Sequence, residues 1–194
     1  MRDLLAGVDR FQRDTFPTKQ SLFKELDSGQ SPQTLFITCS DSRIVPNLVT
    51  DTQPGELFVL RNAGNLVPPC SEGRGEAATI EYAVKVLKVK DIVVCGHSRC
   101  GAMAALLNPQ SCSGLPAVEA WIAPALQMAE QLRAEHSDLS DDDLLNLLIR
   151  KNVLAQIDTL RTHPCVGEAI AEKAVDLHGW VYSIATGEIE QLNT

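Results

Sequence analysis

Thr34-Leu35-Phe36-Ile37-Thr38-Cys39 is a run of β-favouring residues that lacks the polar and apolar alternation of a half-buried strand. Asp91-Ile92-Val93-Val94-Cys95 has the same character, and residues 56–60, after the Pro54-Gly55 turn, predict another strand. Strands without alternation are covered on both faces, as they are in parallel sheets between layers of helices. The sequence therefore predicts an α/β fold with a mostly parallel central sheet flanked by helices.

The start of the chain is predicted to form a helical extension. Apolar residues recur at helical spacing from Leu4 to Phe11, and Pro17 is placed to open a second helix. We expect a single domain over the whole chain, with residues 1–30 as an N-terminal helical arm and residues 31–194 as the α/β core.

Further helices and a terminal hairpin are predicted beyond the second strand. Residues 76–88 show an apolar helical face, and residues 115–173 are helical in pattern with prolines as interruptions. Residues 177–184 and 188–192 flank a Thr186-Gly187 turn. They predict a C-terminal antiparallel hairpin strand.

Composition and charge exclude several classes of function. The chain has 194 residues, of which 44% are hydrophobic, and a formal net charge of −8. This acidic balance argues against a nucleic-acid partner, which requires clustered basic residues. No apolar run is long enough to span a membrane, and the start of the chain lacks a signal-peptide core. We expect a soluble, cytoplasmic protein, in which six cysteines point to metal binding or catalysis instead of a disulfide framework.

Two short motifs follow the buried strands and carry three soft metal ligands. Cys39 ends the first strand, and His97 and Cys100 follow the strand at residues 91–95. If these strands are adjacent and parallel, their carboxyl ends bring the three side chains together as a Zn²⁺ site. Three protein ligands leave a coordination position open, as in catalytic zinc sites. The alternative is that the two cysteines are buried thiols and that His97 caps a turn.

The residues beside Cys39 add a charged pair to this predicted site. Asp41 and Arg43 lie two positions apart, so in an extended segment their side chains share a side and can form a bidentate ion pair. An aspartate that accepts a hydrogen bond from water keeps that water oriented, and the arginine keeps the aspartate ionised. The alternative is a purely structural salt bridge.

With these motifs the chain resembles the β-class carbonic anhydrases, whose zinc signature is CxDxR followed by HxxC. The resemblance implies a lyase that binds Zn²⁺ through Cys39, His97 and Cys100 and uses Asp41 with Arg43 as a catalytic dyad. It implies reversible hydration of CO₂ to bicarbonate and a proton by attack of a zinc-bound hydroxide. Three more stretches resemble family segments, so that the similarity covers nearly the whole chain: Arg61-Asn62-Ala63-Gly64-Asn65, Glu81-Tyr82-Ala83-Val84 and Leu177-His178-Gly179-Trp180-Val181-Tyr182.

Individual residues favour the plant-like subtype within that family. Gln30, Phe58 and Tyr82 match the residues that line its CO₂ pocket across a dimer interface, and Gly101 is included among the predicted substrate-binding residues. Phe36 stands where the bicarbonate-regulated subtype has a tryptophan, so no regulatory bicarbonate site is predicted. Within the family the chain is similar to bacterial cyanate-linked and cyanobacterial carboxysomal members. The alternative for Phe58 and Tyr82 is that they are ordinary core residues.

The resemblance also implies partners and a location. It implies CO₂ and bicarbonate as ligands, a homodimer or higher homo-oligomer, and the cytoplasm or a carboxysome as the compartment; neither nucleic acid nor a membrane is expected as a partner. Two other classes of function stay open at this point. Asp41 as a fourth zinc ligand would make the protein a structural or interaction module, whereas Cys39 with His97 would suit a thiol enzyme that needs no metal.

Overall fold

The computed structural model describes residues 2–72 and 75–194, which fall into two compact units that divide between Ser31 and Pro32. In the N-terminal unit, helix α1 (Arg2–Arg10) continues into a π-helical turn and a 3₁₀ turn, and α2 (Gln20–Leu26) follows. The unit is held together by contacts among three aromatic rings, whose centroids lie 5.4 to 6.2 Å apart: Phe11, Phe16 and Phe23.

The second unit is built on one five-stranded sheet. Its strands are β1 (Thr34–Cys39), β2 (Leu57–Asn62), β3 (Asp91–His97), β4 (Asp176–Tyr182) and β5 (Ile189–Leu192). They are ordered β2-β1-β3-β4-β5, and every neighbouring pair is parallel except the antiparallel pair of β4 and β5. The predicted α/β fold, with its mostly parallel sheet, N-terminal helices and C-terminal antiparallel strand, is confirmed.

The central strands are buried on both faces, which explains why their sequences do not alternate. In β1, Leu35 and Ile37 pack into the main hydrophobic core, whereas Phe36 points to the other face and packs with Val93 and Cys95 of β3. All of these side chains are at least 97% buried. Cys95 is thus a core residue, as its apolar surroundings suggest, and burial raises the pKa of its thiol to about 12.

Helices connect the strands and cover the sheet. They are α3 (Pro46–Val49), α4 (Gly75–Glu81), α5 (Gly101–Leu107), α6 (Pro116–Ile122), α7 (Leu126–Glu135), α8 (Asp141–Thr162) and α9 (Pro164–Ala171). The helix predicted over residues 76–88 is α4 followed by a π-helical turn, which ends at Lys88 in the left-handed conformation. Among residues 2–72 and 75–194, no helix combines the length and the apolar character that crossing a bilayer requires.

Helix α8 lies so close to the sheet that two strand positions admit only glycine without rearrangement. A Cβ atom at Gly96 of β3 would lie 2.9 Å from Cγ2 of Val153, and one at Gly179 of β4 would lie 3.1 Å from Cγ1 of the same valine. The absence of a Cβ atom at these two positions allows α8 to pack closely against β3 and β4 near the end of β3. This close packing is therefore part of what positions the residues that follow Gly96.

Candidate metal centre

Three ligand side chains meet at the carboxyl end of the sheet. Cys39 is the last residue of β1, His97 is the last residue of β3, and Cys100 is the N-cap of α5. Because β1 and β3 are adjacent and parallel, with Thr38 opposite Cys95, both strands end at the same edge. The Sγ atoms and the imidazole nitrogen all lie within 4.8 Å of one another, and all three residues are buried. The predicted convergence of these residues is confirmed.

The imidazole of His97 is oriented with one nitrogen toward this cluster. Its Nδ1 lies 2.9 Å from the carbonyl oxygen of Ser98, which can only accept a hydrogen bond, so Nδ1 carries the proton. The Ser98 residue is itself fixed, because its N–H donates to the carbonyl of Tyr182 and its hydroxyl accepts from the N–H of Ile184. The other nitrogen, Nε2, is buried and has no hydrogen-bond partner among the described residues. Its lone pair is therefore available to a metal.

The two thiols differ in their hydrogen bonding. The Cys100 thiol is the strongest influence on Cys39 and lowers its pKa to about 4; His97 and the backbone N–H of Gly64, 3.4 Å from Cys39 Sγ, lower this pKa as well. The hydrogen bond between the two thiols, together with burial, raises the pKa of Cys100 above its usual range. One thiolate is thus already favoured without a metal. Two sulfurs and an imidazole nitrogen form a donor set that suits Zn²⁺.

Asp41 and Arg43 form the predicted bidentate pair beside the three ligands. Arg43 donates from Nη2 to Oδ2 of Asp41 at 2.7 Å and from Nε to Oδ1 at 2.9 Å, and its backbone N–H also donates to Oδ1. This guanidinium holds the pKa of Asp41 well below its usual range. Oδ2 of Asp41 lies 3.9 Å from Nε2 of His97, so the carboxylate borders the ligand cluster. The pair is also tied to the second motif, because Arg43 Nη2 donates to the carbonyl of Arg99 at 3.2 Å.

The four residues predicted to contact substrate lie in different places. Gly101 is the first residue of α5, directly after Cys100. The rings of Phe58 and Tyr82 contact each other, with centroids 6.0 Å apart. Phe58 pairs with Leu35, four residues before Cys39, which places its backbone about 13 Å along the sheet from the ligands. Gln30 is an exposed residue of the N-terminal unit.

Two residues outside the motifs, one in β2 and one in α8, donate hydrogen bonds to backbone carbonyls around the ligand cluster. Arg61 donates to the backbone carbonyl of Cys39 at 3.0 Å and to that of Asp41 at 2.7 Å. From α8, Asn152 donates to the carbonyl of Gly64 at 3.0 Å. The sequence motifs do not predict these contacts. The signal that was available is a pair of amides one helical turn apart, Asn152 and Gln156, which are buried on a helix face whose other buried residues are apolar.

Comparison with known proteins identifies the class of protein that this fold and site define. The family model for carbonic anhydrase matches residues 34–189. A carbonic anhydrase of Pseudomonas aeruginosa is 50% identical over 194 residues, which are 100% of this chain and 88% of the relative. One of Synechococcus elongatus is 43% identical over 100% of this chain and 72% of the relative.

Solved structures agree with the sequence relatives. The β-carbonic anhydrase CcaA superposes with a TM-score of 0.95 at 39% identity, covering 100% of this chain and 95% of that one. A structure from a study of two tetrameric β-carbonic anhydrases of Sordaria macrospora superposes with a TM-score of 0.87 at 33% identity, covering 100% of this chain and 96% of that one. The chain therefore belongs to the β-class carbonic anhydrase family, as the zinc-signature motifs predict.

Proposed function

We propose that this chain catalyses the reversible hydration of CO₂ to bicarbonate and a proton at a Zn²⁺ ion held by Cys39, His97 and Cys100. The observation that carries the proposal is Nε2 of His97. This buried nitrogen has no hydrogen-bond partner in the described part of the chain, and its ring is fixed with that nitrogen beside two sulfurs. An unpaired polar atom in a protein interior is costly, and a metal ion would satisfy it.

The chain's own residues orient the reactants around that position. A bound Zn²⁺ supplies a Lewis acid that lowers the pKa of water. Asp41 accepts a hydrogen bond from the attacking water through Oδ2, the oxygen nearest to His97. Arg43 keeps Asp41 ionised and prevents it from rotating, because it holds both carboxylate oxygens. Ser98 fixes the tautomer of His97 and so keeps Nε2 available as a ligand.

The pairing of Asp41 with Arg43 favours an enzyme over a closed zinc site. To become a fourth ligand, Asp41 would have to give up charge-assisted hydrogen bonds of 2.7 and 2.9 Å to the guanidinium. A thiol enzyme is disfavoured for a different reason. The sulfurs of Cys39 and Cys100 both lie within 4.8 Å of the imidazole nitrogen, close enough to share one metal ion, whereas a nucleophilic thiol needs only one cysteine beside its base.

We also propose that the substrate pocket is completed by a second copy of the chain, as in the plant-like subtype. Phe58 lies too far along its strand to reach the zinc position of its own chain, and Tyr82, which touches it, is 45% exposed. The pocket would contain Gly101 of one copy and Gln30, Phe58 and Tyr82 of another. The tetrameric relatives of Sordaria macrospora support a homodimer or a larger homo-oligomer.

We also propose the subtype of the chain, its similarity to particular groups within the family, and its compartment. Phe36 in place of a tryptophan supports the plant-like subtype without a regulatory bicarbonate site. The Synechococcus elongatus relative supports similarity to cyanobacterial members, and a link to cyanate metabolism is part of the same proposal. We propose the cytoplasm as the compartment, with a carboxysome as the alternative. The described structure contains six free thiols, which suit a reducing environment.

One experiment tests the central proposal. Stopped-flow CO₂ hydration and metal analysis are carried out on the same purified sample, before and after dialysis against a chelator and after Zn²⁺ is returned. We expect one zinc per chain, loss of hydration with the metal, and recovery on its return. Hydration that survives full removal of zinc would contradict the proposal and favour a thiol enzyme, and bound zinc without hydration from about pH 6 to 9 would favour a structural module.

A further inference from the structure

The N–H group that faces Cys39 belongs to a peptide that is hydrogen-bonded on its other side as well. Gly64 donates its backbone N–H to Sγ of Cys39 at 3.4 Å. The carbonyl of the same peptide group, that of Ala63, accepts a hydrogen bond of 2.8 Å from the indole Nε1–H of Trp121 in α6. Indole, peptide and sulfur therefore form one continuous chain of two hydrogen bonds that ends on a metal ligand.

The geometry of this peptide is constrained from the next peptide along the chain. The carbonyl of Gly64 accepts from Nδ2 of Asn152, and Oδ1 of Asn152 accepts from Nε2 of Gln156 at 2.9 Å. Gly64 has a φ of +80°, and a Cβ atom there would lie 3.0 Å from Cβ of Ala102. Residues other than glycine are therefore strained here both by conformation and by space. The Gly64 N–H is thus held in a fixed direction toward the sulfur.

We propose that Trp121 is a positioning residue of the metal centre, which polarises the Ala63–Gly64 peptide and so limits how much charge Cys39 donates to the metal. Linked hydrogen bonds polarise one another, so a carbonyl that accepts from an indole makes its own peptide N–H a stronger donor. A sulfur that accepts a stronger hydrogen bond has less electron density for a metal. Trp121 touches neither substrate nor metal and acts only through this peptide. The inference rests on the proposed zinc site.

The test compares two matched tryptophan substitutions in the full-length chain. Trp121→Phe removes the indole N–H that reaches Ala63, and most of the ring remains. Trp180→Phe removes the only other indole in the sequence, which packs against Phe36 at 6.1 Å on the sheet. Far-UV circular dichroism and zinc content establish that both variants fold and bind metal.

Two spectroscopic measurements report on the hydrogen bond to the sulfur and on the sulfur as a metal ligand. In metal-free protein with only its 12 glycines labelled, the Gly64 amide proton is expected to move upfield in Trp121→Phe and to stay in place in Trp180→Phe. In cobalt-substituted protein, the thiolate-to-cobalt charge-transfer band is expected to shift to lower energy in Trp121→Phe only. A decrease in kcat/KM of about twofold to tenfold, the range of one hydrogen bond, should accompany these shifts.

The outcomes separate this inference from the proposed function. An unchanged Gly64 resonance and an unchanged cobalt band in Trp121→Phe would overturn the role of Trp121, even if hydration is slower, because slower hydration alone fits a packing defect. If Trp121→Phe does not fold, a tryptophan analogue replaces it. In the Trp180→Phe background, where position 121 is the only tryptophan, β-(3-benzothienyl)alanine keeps the ring shape and has sulfur in place of the N–H. The same two shifts are expected, and their absence would overturn the role of Trp121. Failure of the unsubstituted chain to bind zinc or hydrate CO₂ would instead contradict the proposed function, and the Gly64 resonance would still test the hydrogen-bond chain.

Discussion

Asp41→Asn tests whether the carboxylate beside the zinc position takes part in catalysis. Arg43 donates three hydrogen bonds to Asp41, two to Oδ1 and one to Oδ2. An asparagine has one acceptor oxygen, so its NH₂ group would face either the guanidinium or the water position and donate where the native residue accepts. The variant loses the negative charge that Oδ2 presents 3.9 Å from His97. We expect CO₂ hydration to fall by a factor of about 10² to 10⁴, the range for losing a positioned acid–base group.

Zinc binding should survive this substitution, because the three proposed ligands are unchanged. The assay is stopped-flow hydration with a pH indicator, normalised to zinc measured in the same sample. Asp142→Asn is the matched control, since Asp142 is an exposed carboxylate that lies 3.8 Å from Arg99 and outside the ligand cluster. Its hydration rate should stay within about twofold of the unsubstituted enzyme, as expected for an exposed pair. Near-normal hydration by zinc-loaded Asp41→Asn would refute the catalytic role of Asp41.

Three further predictions concern the metal, pH and packing. Dialysis against a chelator should abolish hydration, with recovery on addition of Zn²⁺ but not of Mg²⁺, which prefers oxygen ligands; activity that withstands the chelator would argue for thiol chemistry. The rate of hydration should increase from neutral to alkaline pH, because two thiolates would acidify a zinc-bound water less than an all-histidine site, where its pKa is about 7. The lowered pKa of Asp41 keeps that carboxylate ionised over the whole range. A maximum rate below neutral pH would contradict this prediction. Gly96→Ala should reduce the free energy of unfolding, measured by urea titration, by about 1 to 3 kcal/mol, because the new Cβ would clash with Cγ2 of Val153. The loss should be smaller in a Val153→Ala background, where that methyl is absent. Equal losses in both backgrounds would show that the contact with Val153 is not the cause.

Most of the fold could be predicted because burial on both faces leaves a direct record in β1 and β3. The ends of some elements could not be predicted, because tertiary contacts decide them. The first strand of the C-terminal hairpin is predicted over residues 177–184, but β4 ends at Tyr182. Ser183 bonds instead to the carbonyl of Glu188 in the hairpin turn, and Ile184 donates to the hydroxyl of Ser98. The apolar character of Ile184 could not reveal this distant partner.

The candidate site divides in the same way between local pattern and distant contact. The three ligands and the Asp41–Arg43 pair lie in two short motifs that each follow a predicted strand, so the sequence predicts that they meet if those strands are adjacent and parallel, as they are in the structure. The groups that adjust those ligands come from far along the chain, since Trp121 lies 58 positions from Ala63 and Asn152 lies 88 positions from Gly64. Both act through backbone atoms, which any residue carries, so no pattern of side chains marks the contact. Substitutions in the motifs should therefore remove activity, whereas substitutions in α6 and α8 should change how strongly the same ligands donate.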